Sequence, residues 1–181
     1  MNDKLGHDYA TEYKVDKEPT YTSAGSKSKH CSRCDAKIDV TAIEKLYYGS
    51  KTYTGLYKVD GTWRYVKNGE VDNTFTGLVK YSGKWYHIKD GVKTTYTGLV
   101  KHTDGKYYYV KSGVKTSFNG LVKYNSKWYY VKSGVVNTSY TGLVKHTDGK
   151  WYYVKKGVKT TYTGNVKYNG KTYKVKNGVK V

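Results

Sequence analysis

The sequence predicts an all-β fold: a solenoid of tandem β-hairpins of about 22 residues each, preceded by a small irregular Cys/His segment. Three observations carry this. The phrase Thr-Gly-Leu-Val-Lys, or a close variant, recurs with its glycine at Gly55, Gly77, Gly98, Gly120, Gly142 and Gly164, in spacings of 22, 21, 22, 22 and 22 residues. Each repeat also holds two turn signals, such as Ser82-Gly83 and Asp90-Gly91, flanking a run rich in aromatic and β-branched residues. Finally, the chain has 23 Tyr and 4 Trp but a single Pro, a composition that favours strands.

The repeats set the boundaries. Residues 1–46 form the small Cys/His-containing segment, and residues 47–181 form the six-unit array, entered through a degenerate tail at Tyr47–Thr54. Within a repeat, Leu78-Val79-Lys80-Tyr81 runs out, turns at Ser82-Gly83, and returns through Lys84-Trp85-Tyr86-His87-Ile88-Lys89. Pairing Tyr81 with Lys84 places Val79, Tyr86 and Ile88 on one face, with Leu78, Lys80, Trp85, His87 and Lys89 on the other. Neither face is wholly polar, so hairpins must stack to bury both. Two repeats have the longer turns Thr103-Asp104-Gly105 and Thr147-Asp148-Gly149, and one has Ser126 where the turn glycine belongs, which should weaken that turn. The last repeat carries Asn165, Thr172 and Lys174 at otherwise apolar or aromatic positions, as a terminal cap requires.

Only 37% of the residues are hydrophobic, with seven Leu, three Ile and one Met, so an ordinary aliphatic core is not expected. Large rings should fill the interfaces between hairpins instead. A disordered chain would be poor in aromatics, and this one is not. The formal net charge is +19. Residues 1–49 balance eight basic against eight acidic residues, while the array holds 25 basic residues against six acids. Such charge exceeds the roughly 2–8 that solubility needs and points to a polyanionic partner. Nucleic acid is disfavoured as a specific partner, since Arg occurs only at Arg33 and Arg64 and no nucleic-acid motif is present. There is no apolar run of about 18 residues to span a membrane, and nothing near Met1 reads as a secretory segment. The chain is therefore expected to be a monomeric part of a longer exported protein, whose export signal lies outside it.

In motif, Gly77-Leu78-Val79-Lys80 with Gly83-Lys84-Trp85-Tyr86, and Gly142-Leu143-Val144-Lys145 with Gly149-Lys150-Trp151-Tyr152-Tyr153, resemble the choline-binding and glucan-binding type cell-wall-binding repeats of Gram-positive surface proteins. The resemblance covers roughly residues 47–181. It implies a non-catalytic module that attaches a surface protein to a cell-wall polymer outside the cell. Choline is disfavoured, because Leu56, Leu78, Leu99, Leu121 and Leu143 stand where the family's first motif Trp helps form an aromatic cage. A teichoic-acid-like or other anionic glycan suits the charge better.

The candidate ligand-binding aromatics are Trp63, Tyr65, Trp85, His87, Tyr107, Tyr109, Trp128, Tyr130, Trp151 and Tyr153, of which one ring per repeat would be left as a platform for sugar rings. The candidate basic ligands are Lys80, Lys101, Lys123, Lys145 and Lys167. Their alternative role is to solubilise a spacer or stalk that has no specific ligand. No nucleophile motif or acid pair supports catalysis, so no enzyme is expected. The leading segment holds Cys31-Ser32-Arg33-Cys34 and His7, and resembles short Cys/His knuckle-like units that precede such arrays. That resemblance implies a structural zinc held by Cys31, Cys34 and His7, although Tyr21 stands where a further Cys is expected. A disulfide and free thiols remain the alternatives, and no other cofactor is expected.

Overall fold

The computed structural model describes residues 6–181, and its regular structure is entirely β. Contacts divide the chain into two compact bodies: residues up to Thr54 with Lys67–Glu70, and Gly55–Val66 with Val71–Val181.

In the first body the small Cys/His segment carries a three-stranded antiparallel sheet, β1 (Lys14–Lys17), β2 (Gly25–His30) and β3 (Lys37–Ile43), with β2 in the centre. Period-2 hydrophobicity does not announce it, because its strands are mostly polar. Ion pairs hold it instead. Asp16 on β1 meets both His30 and Lys37, and the Lys37 ammonium, with help from Ser28 and His30, holds the Asp16 carboxyl well below the usual carboxylate range. Lys29 on β2 pairs with Asp39 on β3 at 2.9 Å.

The second body holds the array from Gly55 onward, apart from Lys67–Glu70. The long hairpins are Gly55–Val59 with Thr62–Lys67, Gly77–Tyr81 with Lys84–Lys89, Gly98–Lys101 with Tyr107–Lys111, Gly120–Tyr124 with Lys127–Lys132, Gly142–Lys145 with Trp151–Lys155, and Gly164–Tyr168 with Lys171–Lys176. The register is the expected one: Tyr81 opposes Lys84, Val79 opposes Tyr86 and Leu78 opposes His87. Each repeat adds an element too short to show in the sequence, a two-residue third strand such as Val92–Lys93 or Val114–Lys115. It pairs with its own return strand and touches the return strand of the preceding repeat, as in Val114 with Tyr86 and Val158 with Tyr129.

Turn chemistry explains the punctuation. Asp90-Gly91, Ser112-Gly113 and Ser133-Gly134 all have positive φ at both residues, the type I′ geometry whose twist matches the strands. The side chain just before the repeated glycine caps this turn: the Ser112 N–H donates to Thr97 Oγ1 at 2.9 Å and the Ser133 N–H to Asn119 Oδ1 at 2.7 Å. Asn therefore replaces Thr at 119 without loss of the bond. Ser126 keeps the hairpin turn of the fourth repeat, at φ 64°, a conformation that costs an L-residue about 1–2 kcal/mol relative to glycine.

The core differs from the expectation of stacked rings. Leu56, Leu78, Leu99, Leu121 and Leu143 are at most 3% exposed, and Val66, Ile88, Val110, Val131, Val154 and Val175 are fully buried. The rings around them are mostly half-buried. One Leu and two β-branched residues fill an interface, as Leu78, Val100 and Val110 do, because each interface between hairpins is small, so seven leucines are not too few. Asn165, Thr172 and Lys174 of the last repeat are exposed.

His87 is a buried exception among the second-position rings, 7% exposed, with Nδ1 bonded to Thr94 Oγ1 at 2.8 Å. Burial, aided by the Lys89 charge, lowers its pKa from the ordinary histidine value of 6.5. The fold thus favours neutral His87. Its contribution is fully present above about pH 6.5, where the unfolded chain begins to take up the proton, and is lost as pH falls from there through the lowered folded-state value. Replacing His87 with Tyr, the residue at the equivalent positions 109 and 130, should reduce the loss of stability on acidification. Urea unfolding of both proteins at about pH 8 and about pH 5 tests this, and parallel losses would contradict it.

Candidate functional site: ring joints and a lysine face

Every pair of successive hairpins meets in a joint where two rings are in contact, and in three of the five joints a third ring joins them. The first comes from the return strand of one repeat, the second from the last residue of the next outgoing strand or the one just after it, and the third from that next repeat's return strand. The first two lie 5.0 Å apart for Trp63–Tyr81, 5.6 Å for Trp85–His102, 5.4 Å for Tyr107–Tyr124, 5.1 Å for Trp128–His146 and 6.0 Å for Trp151–Tyr168. The third ring joins at 6.0 Å for His102–Tyr108, 6.5 Å for Tyr124–Tyr129 and 6.0 Å for His146–Tyr152. Tilted and edge-on arrangements dominate, as ring quadrupoles favour.

The structure therefore separates the sequence-derived aromatics into two sets. Trp63, Trp85, Tyr107, Trp128 and Trp151 enter the joints. Tyr65, His87, Tyr109, Tyr130 and Tyr153 pack instead on linker rings, as in Tyr65–Phe75 at 4.1 Å and Tyr109–Phe118 at 4.6 Å. The sequence candidates do not include His102 and His146, which also enter the joints. Aligning the repeats on their glycines puts them at the position of Tyr81, Tyr124 and Tyr168, which is the signal that would have found them.

The lysines also divide. Lys80, Lys101, Lys123, Lys145 and Lys167 are exposed, and none forms an ion pair among the described residues. Lys80, Lys101, Lys123 and Lys145 stand directly opposite Trp85, Tyr107, Trp128 and Trp151 across their hairpins, so an ammonium and a half-buried ring share one face. At the end of the array Lys167 opposes Thr172 where the other repeats place a ring. The third-strand lysines behave differently. Half-buried, they lie over rings: Lys93 is 4.7 Å from Tyr86, Lys115 4.1 Å from Tyr108, Lys159 3.9 Å from Tyr152 and Lys180 4.2 Å from Tyr173. Carboxylates in the array are engaged elsewhere. Asp104 and Asp148 each accept a hydrogen bond from a joint tyrosine hydroxyl at 2.6 Å, Tyr108 and Tyr152 respectively, which lowers the carboxyl pKa and raises that of the phenol.

In the first body, residues 7–10 lie along residues 30–32. Tyr9 bridges Cys31, the Ala10 N–H donates to the His30 carbonyl and the Ser32 N–H to the Asp8 carbonyl. This brings His7 against the Cys-x-x-Cys turn, with Nδ1 3.1 Å from Cys34 Sγ, and the ligand atoms of His7, Cys31 and Cys34 all lie within 4.8 Å of one another. The Cys31 thiol is lowered to about 6, first by the Arg33 backbone N–H and then by the surrounding donors.

No curated protein matches the chain in sequence. Among solved structures, an alternansucrase in complex with isomaltononaose is similar at 15% identity with a TM-score of 0.23. That match covers 97% of this chain and only 16% of the alternansucrase chain, and its score is too low to support any conclusion. A family model described as the choline-binding repeat matches five times in tandem, at residues 52–72, 74–94, 95–115, 117–137 and 139–160. These matches span more than half the chain and fall on its hairpins: the protein belongs to the choline-binding repeat family.

Proposed function

We propose that the array is a non-catalytic binding module that holds a surface protein on an anionic, teichoic-acid-like glycan polymer of the cell envelope. The observation that supports this best is the repeated pairing of an exposed ammonium with a half-buried ring, Lys80 with Trp85, Lys101 with Tyr107, Lys123 with Trp128 and Lys145 with Trp151. Ring and ammonium side by side suit a polymer that alternates sugar and phosphate. Single exposed contacts are weak, but repeated contacts on one polymer reinforce each other through effective concentration. The family name points to choline. The buried leucines and lysine-covered rings of this chain favour the anionic backbone of the polymer over a cationic substituent. On purified walls the protein should be retained at about 50 mM salt, where binding by charge is strongest, and released as salt rises. Removing the anionic polymer from the walls, or replacing Lys80, Lys101, Lys123, Lys145 and Lys167 together by Gln, should abolish retention. Equal retention on stripped walls would favour a neutral glycan, and no retention at all would favour a spacer; either result contradicts the proposal.

We also propose that His7, Cys31 and Cys34 hold a structural zinc ion. Two thiolates and an imidazole are its preferred donors, and the three ligand atoms already converge. Their contribution would be to tie residues 7–10 to the Cys-x-x-Cys turn. Titrating the reduced protein with Co²⁺, which reports on zinc sites, should give a thiolate charge-transfer band at one equivalent. Cys34→Ser should weaken the band and His7→Ala should lower the affinity. A titration without a thiolate band would overturn the assignment.

A further inference from the structure

One of the five ring joints lacks a third-strand ammonium. Four receive an ammonium from the third strand, at Lys93, Lys115, Lys159 and Lys180, and the joint between the third and fourth repeats receives Val136. That same joint has Tyr107 where the other four have Trp. With both the ammonium and the indole missing, it holds a cavity of about 210 Å³ lined by Leu99, Tyr107, Tyr124, Tyr129, Val136 and Thr138.

In three joints the ammonium reaches two rings at once. Lys115 lies over Tyr108 and, at 5.9 Å, over Trp85. Lys159 lies over Tyr152 and, also at 5.9 Å, over Trp128; Lys180 lies over Tyr173 and, at 5.8 Å, over Trp151. These distances fall within the roughly 6 Å at which a ring face attracts a cation. The same lysines are half-buried, whereas those on the outgoing strands are exposed. Each seated ammonium is fixed to a strand two residues long, so it competes with any free cation at the high effective concentration of a tethered group.

We infer that Lys93, Lys115, Lys159 and Lys180 are built-in ligands of the ring joints, occupying the faces that an external organic cation would use and thereby determining what the array accepts. At these four joints the ring faces are then closed to cations from outside, which leaves the exposed lysines and free ring edges to bind there. This inference rests on the joint geometry and not on the identity of the wall polymer, so it stands or falls independently of retention on walls.

The test replaces a seated lysine in the full chain and offers a probe that reads ring faces alone. Tetramethylammonium carries a charge but no hydrogen-bond donor. In Lys159→Ala it should shift the Trp128 indole N–H resonance saturably, with an affinity at least about tenfold above that of wild type at this joint. Lys159→Arg, which restores a seated cation, should respond like wild type. Lys115→Ala, read at Trp85, gives the same measurement at a second joint should the first variant fail to fold. An Ala variant with an intact spectrum and no saturable shift would overturn the inference, as would a wild-type joint that binds the probe equally well.

Discussion

Successive hairpins are held together by the close approach of one repeat's turn glycine to the backbone of the repeat before it. At Gly113 an added Cβ would lie 1.8 Å from the Thr94 carbonyl oxygen, at Gly134 1.9 Å from that of Thr116, and at Gly178 1.8 Å from that of Thr160. The same glycine is bonded from both sides. The Gly113 N–H donates to the Tyr96 carbonyl, and its own carbonyl accepts from the His87 N–H, both at 2.8 Å. Gly134 and Gly178 repeat the arrangement with Phe118 and Tyr109, and with Tyr162 and Tyr153. Only a residue without a side chain can make this contact, and only a positive φ presents both polar groups to it.

The rest of the array follows from that spacing. Backbones held so close leave room for little more than one Leu and two β-branched residues per interface, which is why the fully buried core is aliphatic in a chain with so many rings. The rings take the rim of each interface, where an apolar body can be covered while the hydroxyl or ring edge stays wet. Rings at a rim then present faces to the third strand, and its lysines cover them. The positive charge thus serves in two ways: half-buried ammoniums finish the joints, and exposed ones leave a field with few carboxylates to oppose it. A stack of this kind is stabilised by neighbour contacts alone, so each repeat needs only the next one.

Much of this was legible in the sequence. The glycine spacing fixes the repeat, the two-residue turns fix the hairpin, and the pairing of Tyr81 with Lys84 fixes which side chains share a face. Burial was less legible, because composition counts residues over the whole chain while packing depends on the size of each interface. Leu78 and Ile88 are enough where a hairpin meets only its neighbours. The third strand was missed because two residues, such as Val92–Lys93, show no period, and its lysines read as linker. In the leading segment the convergence of His7 with Cys31 and Cys34 depends on Tyr9 pairing with Cys31, a bridge between residues far apart in the chain that local pattern does not reveal.

The dependence on backbone approach is tested most directly by comparing Gly113→Ala with Gly105→Ala in urea unfolding. Both glycines have φ near 80°, at 76° and 80°, but an added Cβ at Gly105 meets nothing within 4 Å. Gly105→Ala should therefore cost only the conformational penalty of about 1–2 kcal/mol. Gly113→Ala should cost several kcal/mol and uncouple the repeats on its two sides, seen as faster amide exchange at His87. Equal losses in the two variants, with His87 still protected, would contradict the dependence of the array on this contact.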